Sequence, residues 1–465
     1  MTSLITPVYN PATGEIITQV PEATAADVAT YVAQGMLGQA AMAATPAHQR
    51  QAMLLKLADL MEADLEELAR LDAAENGKPI QQTRGEVQAA IRIIRGYAAE
   101  ATRIFGRQFP MDAVPGLENH FAVTIRQPLG LVAALIPFNY PVELYSHKAA
   151  AALAAGNAVI TKAPSRCPLA LFKIHEYYAL AGFPQYAHQV LIGNREVVAA
   201  LADHPDIAAV TLTGSSPAGR TVAERCARRF AKVFLELGGN DPMIILDDAN
   251  LDLAVDAIVY GRLARGNGQI CCAVKRVYAT EGIYDELAAR IIAKTQQLIV
   301  GDQLNEATDV GPLIGEKDAI GVEDAIAHLV AEGATLAAGG ARQGTFITPA
   351  VLTNVPADSP TMAEEIFGPV VPLVRVGSLD EAITLANDTP YGLQASIFTQ
   401  DINRALKAAT RINVGSVMIN GTTAMRAENL PFGGTGETGG YREGLHDTVL
   451  DFTRQKTIVA IGALA

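Results

Sequence analysis

From about residue 130 onward the sequence alternates short apolar runs with longer amphipathic stretches, and this alternation narrows the fold further than any other feature of the chain. Strand-length runs separated by helix-length segments are the pattern of successive βαβ units on a parallel sheet. Gly130–Pro137 predicts a strand, Val142–Ala155 an Ala-rich helix ended by Gly156-Asn157, and Ala158–Thr161 the next strand. A helix over Pro168–Ala181 closed by Gly182, a strand near Val190–Ile192, a helix Glu196–Ala202, a strand Ala208–Thr213, a helix Ala218–Arg229 and a strand Lys232–Leu237 complete the series. Asn139, Lys162, Gly193-Asn194, Gly214-Ser215 and Glu236 all fall at or just past the C-terminal ends of these strands. In open α/β sheets ligands bind along that edge, so these separate motifs converge on one expected crevice.

Beyond Gly238 a second α/β pattern begins, with strand Met243–Leu246, helix Leu251–Arg265, a cysteine-bearing loop, strand Arg276–Thr280 and helix Tyr284–Ile299. Leu379–Asn387, Leu393–Thr399 and Ser416–Asn420 continue it. The opening hundred residues read as mostly helical, with Arg50–Glu75 amphipathic, while Pro110–Gln127 and Thr448–Ile461 fit neither sheet. A chain of 465 residues is too long for one core and fits two domains. Its net charge of -13 argues against a nucleic-acid partner, because proteins that grip the phosphate backbone carry a basic face. Apolar runs such as Leu131–Pro137 and Ala149–Ala155 fall well short of the roughly 20 residues that span a bilayer, so no membrane association is expected. Four cysteines, two of them adjacent, suit a reducing compartment, and Met1–Gly14 shows no signal-peptide pattern, so the cytoplasm is the expected location. The eight histidines are scattered and predict no metal site.

Two residues carry the chemistry. Cys271 follows the glycine-rich segment Gly266-Asn267-Gly268-Gln269-Ile270, where backbone can approach a ligand and leave an N–H free for an oxyanion. A thiolate there would add to a carbonyl carbon and leave a thioester; the plainer reading is a small buried hydrophobe. Glu236 interrupts the apolar run Val233-Phe234-Leu235 directly before Gly238-Gly239, so its carboxylate should be partly desolvated and raised toward a useful base, unless it simply turns to solvent or to an ion pair. Asn139, between a strand and a helix, suits either an N-cap or a donor to developing negative charge. Lys162 closes an apolar strand and would hold a dinucleotide ribose or phosphate, or else be solvated. Gly214-Ser215-Ser216-Pro217-Ala218-Gly219 leads into a helix whose N-terminus can receive pyrophosphate.

The segments Glu236-Leu237-Gly238-Gly239-Asn240, Gly268-Gln269-Ile270-Cys271-Cys272-Ala273, Pro137-Phe138-Asn139-Tyr140-Pro141, Glu364-Glu365-Ile366-Phe367-Gly368-Pro369 and Pro431-Phe432-Gly433-Gly434 together resemble the aldehyde dehydrogenase superfamily. The words around Asn139, Cys271-Cys272-Ala273-Val274-Lys275-Arg276 and Tyr391-Gly392-Leu393 look most like its branch of non-phosphorylating glyceraldehyde-3-phosphate and lactaldehyde dehydrogenases. The resemblance implies an α/β fold with a Rossmann-like parallel-sheet cofactor domain over 1–109 and 129–237, a second α/β catalytic domain over 238–447, and a small β oligomerisation flap from 110–128 and 448–465. It selects Cys271 over Cys272 as nucleophile, assigns deacylation to Glu236 and oxyanion binding to Asn139 with the Cys271 N–H. Gly214, Ser215 and Gly219 would form the cofactor turn, Glu365 would hold the nicotinamide ribose, and Phe367 would pack on the ring. The stretch Thr435–Gly439 departs from the family's usual Lys-x-Ser-Gly, so no role is carried over there.

Cofactor choice rests on Ser165 and Arg166. Relatives that prefer NAD often place Glu where Ser165 stands, so nothing here repels a 2′-phosphate, and Arg166 either pairs with one or points to solvent. NADP or NAD is expected, with NADP favoured. By the same resemblance Arg103, Tyr140 and Arg426 would surround the far end of the substrate, while Ile270 replaces an Arg of phosphate-binding members. The expected substrate is therefore a small hydroxylated or anionic aldehyde such as lactaldehyde, succinic semialdehyde or a sulfonated analogue, rather than glyceraldehyde 3-phosphate. A homodimer or homotetramer is implied. The competing readings are a CoA-acylating semialdehyde dehydrogenase, whose relatives generally lack the Glu at 236, and a cofactor-independent thiol esterase.

Overall fold

The computed structural model describes residues 4–464; Met1–Ser3 and Ala465, the outer ends of two expected domain ranges, lie outside the described residues. Its first sheet contains β1 (Leu131–Leu135), β2 (Val159–Lys162), β3 (His188–Leu191), β4 (Ile207–Thr213) and β5 (Lys232–Glu236). All pairings are parallel and the spatial order is β3-β2-β1-β4-β5, so the chain reverses its direction of travel between β1 and β4. At such a switch point the connections leave in opposite directions and open a crevice at the carboxyl edge. The expected strands and intervening helices are all present, shifted by a residue or two at their ends. The helix after β1, Pro141–Ala154, is buried along its whole length, packed against the helix Ile80–Glu100. An Ala-rich surface allows helices to approach on every side, which accounts for that composition.

The N-terminal region departs from expectation in two places. It opens with an antiparallel hairpin, Leu4–Tyr9 with Ile16–Glu22, before the helices begin at Val28. The expected amphipathic segment Arg50–Glu75 is two helices, Ala47–Ala63 and Leu65–Asn76, broken at Asp64, whose carboxylate accepts the Tyr177 hydroxyl at 2.6 Å. The hairpin was hard to foresee because its strands are mostly exposed and lack a buried alternating face.

The second sheet contains β6 (Pro242–Ile245), β7 (Arg276–Thr280), β8 (Thr335–Ala338), β9 (Ala350–Thr353), β10 (Val370–Val376), β11 (Gln394–Phe398) and β12 (Ser416–Ile419). Its order is β8-β9-β10-β7-β6-β11-β12, with only the β8–β9 pair antiparallel. Where one helix was expected over Leu251–Arg265, the α-helix stops at Ile258 and a π-helical turn runs over Val259–Ala264. This wider turn accompanies the wholly buried Arg262, whose guanidinium donates to the carbonyls of Val370 and Ile366.

Thr453–Ala460, Phe121–Pro128 and Gln108–Phe109 form a separate three-stranded antiparallel sheet. The terminal strand starts later than expected, because Thr448–Asp451 closes the helix Leu445–Asp451. Among the described residues no helix is long and apolar enough to cross a membrane.

Candidate active site

The loop before Cys271 is held in an uncommon shape. Gly266, Asn267 and Gly268 all have positive φ, and Asn267 fixes the turn by donating to the Gly77 and Pro312 carbonyls at 2.9 and 3.0 Å while accepting the Gly311 N–H at 2.8 Å. Gly268 has no alternative, since a Cβ there would lie 2.4 Å from the Gly368 backbone. Cys271 emerges partly exposed against Tyr140, Leu144, Ile270 and Phe432, while Cys272 is buried among the same residues. The neighbouring Cys272 thiol and burial push the Cys271 thiol up, and the same contact shifts Cys272 down. Access rather than acidity therefore distinguishes the two sulfurs. Below them the wholly buried Lys275 ammonium spends three hydrogens at once, on the Gly239 carbonyl at 2.7 Å, the Cys271 carbonyl at 2.5 Å and the Glu365 carboxylate. One cation thus ties together the loop after Glu236, Cys271 and the residue expected to hold ribose.

Glu236 ends β5 almost fully buried, and its Oε1 has no hydrogen-bond partner among the described residues. Burial, then the nearby Glu443 carboxylate, raise its carboxyl well above the usual range, against the pull of Lys148 and Arg426. The solvent and ion-pair alternatives do not hold. Glu443 accepts Lys148 at 3.1 Å and Arg426 at 2.6 Å. Burial pushes Glu443 up, but Lys148, His147 and Arg426 overcome it, so this carboxylate stays ionised beside a neutral-leaning Glu236. Neighbouring carboxylates pushed apart in this way suit acid and base roles.

Asn139 is buried, and its side-chain amide donates to no protein acceptor among the described residues; the Cys271 backbone N–H is likewise uncommitted. It does not cap the following helix. Tyr140 occupies the cap position, and Glu86 Oε1 accepts the N–H groups of Val142 and Glu143 at 2.8 and 3.1 Å. With the capping role filled from elsewhere, two donors are left for an oxyanion.

On the carboxyl edge of the first sheet a cavity of about 400 Å³ is walled by Lys162, Arg195, Ser215, Pro217 and the apolar Leu135 and Val198. An apolar slot with a few placed cations and a helix N-terminus fits an adenosine phosphate. Gly214 donates its N–H to the Glu236 carbonyl at 3.0 Å, joining β4 to β5. Ser165 stands on the loop after β2, its hydroxyl 3.5 Å from the Gly193 carbonyl. Glu365 receives the Gly239 N–H at 3.4 Å, and Phe367 meets Phe138 edge-on at 5.9 Å.

Of three further expected residues, one needs correction. Arg166 pairs with Asp318 and lies over the Phe138 ring at 4.6 Å, its side chain half-exposed. At Gly219 a Cβ would lie 2.5 Å from the Leu237 side chain, so helix–strand packing excludes a side chain there. Arg103 is exposed past the end of helix Ile80–Glu100, paired with Glu100 at 3.2 Å and outside the cavity that Tyr140 and Arg426 line, whereas Arg92 on that helix lines it.

That second cavity, of about 380 Å³, contains Tyr140, Glu143, Arg265 and Arg426. Tyr140 also packs in the cluster around Cys271, and Arg426 lies 4.3 Å over Phe432 of that cluster, so the cavity borders Cys271. Arg265 donates to the Ala424 carbonyl and has no carboxylate ion pair among the described residues. Ile270 is buried beside Tyr140, consistent with an uncharged wall at that point.

The sequence model of the aldehyde dehydrogenase family matches residues 2–458. This chain is an aldehyde dehydrogenase. A 3-sulfolactaldehyde dehydrogenase of Priestia aryabhattai is 38% identical over 413 residues, covering 89% of this chain and 86% of the relative. The aspartate-semialdehyde dehydrogenase 1 of Pseudomonas canavaninivorans is 36% identical, covering 97% and 95%. Among solved structures, the glyceraldehyde-3-phosphate dehydrogenase GapN of Methanocaldococcus jannaschii, complexed with NADP, superposes with a TM-score of 0.93 at 32% identity over 98% of this chain and 99% of its own.

This aldehyde dehydrogenase also holds functional candidates that the sequence reading missed: Lys148, Glu443, Lys275, Arg195 and Arg265. A signal existed for Lys148 and Glu143, since charges inside an otherwise apolar helix are costly to bury unless something meets them. Glu443 stands in the polar run Tyr441-Arg442-Glu443-Gly444, where a charge is ordinary.

Proposed function

We propose that this aldehyde dehydrogenase oxidises a small hydroxylated or anionic aldehyde to its carboxylic acid, using NADP or NAD with NADP favoured. One observation carries the substrate class: the cavity bordering Cys271 presents Arg265 and Arg426 to whatever enters it. The relatives named for 3-sulfolactaldehyde and aspartate semialdehyde support an anionic substrate.

In this reading the Cys271 thiolate adds to the aldehyde carbon while Asn139 and the Cys271 N–H receive the oxyanion. Bound nicotinamide supplies the two-electron acceptor that turns the thiohemiacetal into a thioester. Glu236 then takes a proton from water, which attacks the thioester and frees the acid. Glu365 and Phe367 hold the cofactor's nicotinamide end, and Lys162, Ser215 and Arg195 its adenosine end. Ionised Glu443, paired with Lys148 and Arg426, keeps Glu236 a stronger base than an isolated carboxylate. Residues 1–109 and 129–237 serve as the cofactor domain and 238–447 as the catalytic domain. The 110–128 and 448–465 segments form a flap that joins subunits in a homodimer or homotetramer, supported by the exposed Ile458 and Val459 on the terminal strand. Assays of small aldehydes with NAD and NADP separately test this function; no turnover with any anionic or hydroxylated aldehyde would refute it.

A further inference from the structure

The cavity beside Cys271 contains charges of both signs, and most of them are already paired. Arg92 meets Glu428 at 2.9 Å, Glu86 is held by Lys78, and Arg426 is held by Glu443. Two remain without an ion-pair partner among the described residues: the Arg265 guanidinium and the Glu143 carboxylate. Glu143 is nearly buried, yet its side chain accepts no hydrogen bond from the protein.

Helix stabilisation does not explain this carboxylate. Glu143 stands in the first turn of helix Pro141–Ala154, where an acid complements the helix dipole. But no side-chain cap bond is formed there, and Glu86 already satisfies the N–H groups of Val142 and Glu143 itself. The Glu143 carboxylate opens onto the cavity and accepts nothing from the protein, so a ligand entering there meets an uncommitted acceptor. Glu143, Arg265 and Arg426 line the same cavity of about 380 Å³, so the acceptor and the two cations address one small volume.

We propose that Glu143 is a specificity-determining residue: its carboxylate accepts a hydrogen bond from a hydroxyl or ammonium group that the substrate carries beside its anionic end. The preferred aldehyde therefore bears an anion for Arg265 and Arg426, a donor for Glu143 and a carbonyl for Cys271. This inference rests on the anionic-aldehyde reading above and sharpens it, because an aldehyde with an anion alone leaves Glu143 unpaired and facing a like charge.

The test compares 3-sulfolactaldehyde, with hydroxyl and sulfonate, and aspartate semialdehyde, with ammonium and carboxylate, against succinate semialdehyde, which has the anion only. Wild-type kcat/KM is expected to favour the donor-bearing aldehydes. In Glu143→Ala the preference should fall by about tenfold or more, mainly through KM, as expected when a hydrogen bond to a charged group is lost. The isosteric Glu143→Gln should keep part of the preference for the hydroxylated substrate, lose that for the ammonium substrate and improve KM for succinate semialdehyde. Wild-type preference for succinate semialdehyde, or unchanged ratios in both variants with only a lower Tm, would overturn the inference and leave the anionic-aldehyde reading standing. A wild-type enzyme that oxidises none of the three would overturn that reading itself.

Discussion

Gly433 lies against the Glu236 carboxylate so closely that a Cβ on it would sit 2.7 Å from Glu236 Oε1 and 2.0 Å from the Tyr441 carbonyl. Its φ of +154° adds a backbone restriction to the steric one. Gly433→Ala should therefore displace Glu236, costing about 1–3 kcal/mol of stability from overpacking and slowing acyl-enzyme hydrolysis more than acylation. Pre-steady-state bursts of reduced cofactor with a slowed steady rate would show it; unchanged hydrolysis would mean that Glu236 is not the base.

The protonation of Glu236 sets a pH dependence. Burial and then Glu443 raise its pKa, so the ionised base form appears only above the ordinary carboxylate range, and the hydrolysis rate should climb with pH along a limb displaced upward. Glu236→Gln should remove that limb and reduce turnover by about 10²- to 10⁴-fold. The stability effect has the opposite sense. A carboxyl whose folded pKa is raised contributes fully below its unfolded pKa, and that contribution is lost as pH rises through the folded value. Glu236→Gln should thus melt higher than wild type in alkaline buffer and match it in acid, as read by Tm across pH.

The two adjacent thiols should behave unequally. Cys271→Ala is expected to abolish aldehyde oxidation while leaving cofactor affinity intact. Cys272→Ala should keep turnover at a cost of about 1 kcal/mol in stability, the usual size for a small buried truncation. Mass spectrometry after brief iodoacetamide treatment should find the label on residue 271; labelling confined to 272 would reverse the assignment.

Arg195 walls the adenosine-side cavity with Lys162 and has no ion-pair partner among the described residues, whereas Arg166 is engaged by Asp318. Calorimetric titration of Arg195→Ala should show NADP affinity reduced about tenfold or more, with NAD affinity nearly unchanged, and a weaker salt dependence for NADP. Arg166→Ala should leave the ratio of the two affinities where it was. Loss of NADP selectivity in the Arg166 variant instead would restore the role first expected of that residue.

What could be seen in the sequence was what local pattern encodes. Strand β1, the helix after it and the position of Asn139 follow from an apolar run, a glycine stop and a polar residue at the junction. Glu236 and Cys271 stood out because a charge and a thiol flank glycines in otherwise apolar surroundings. The environment that tunes them did not, since it is assembled across long separations: Lys148 and Glu443 meet from 295 residues apart. Arg103 misled because it lies at the end of the helix that carries Arg92, and alignment by motif cannot tell which turn faces inward. The pairing of Arg166 with Asp318 was not visible either, because Asp318 belongs to a helix whose position no local pattern reports.

Glu86 and Asn76 belong to the N-terminal helices, yet one grips the start of the helix after Asn139 and the other donates to the Phe138 carbonyl at 2.5 Å. The reacting groups are all encoded after residue 130, but the scaffold aiming one of them comes from before residue 100. A protein shortened to begin at β1 would retain each of these side chains and lose the braces on either side of Asn139. The surroundings of Asn139 are thus assembled from two stretches far apart in the chain.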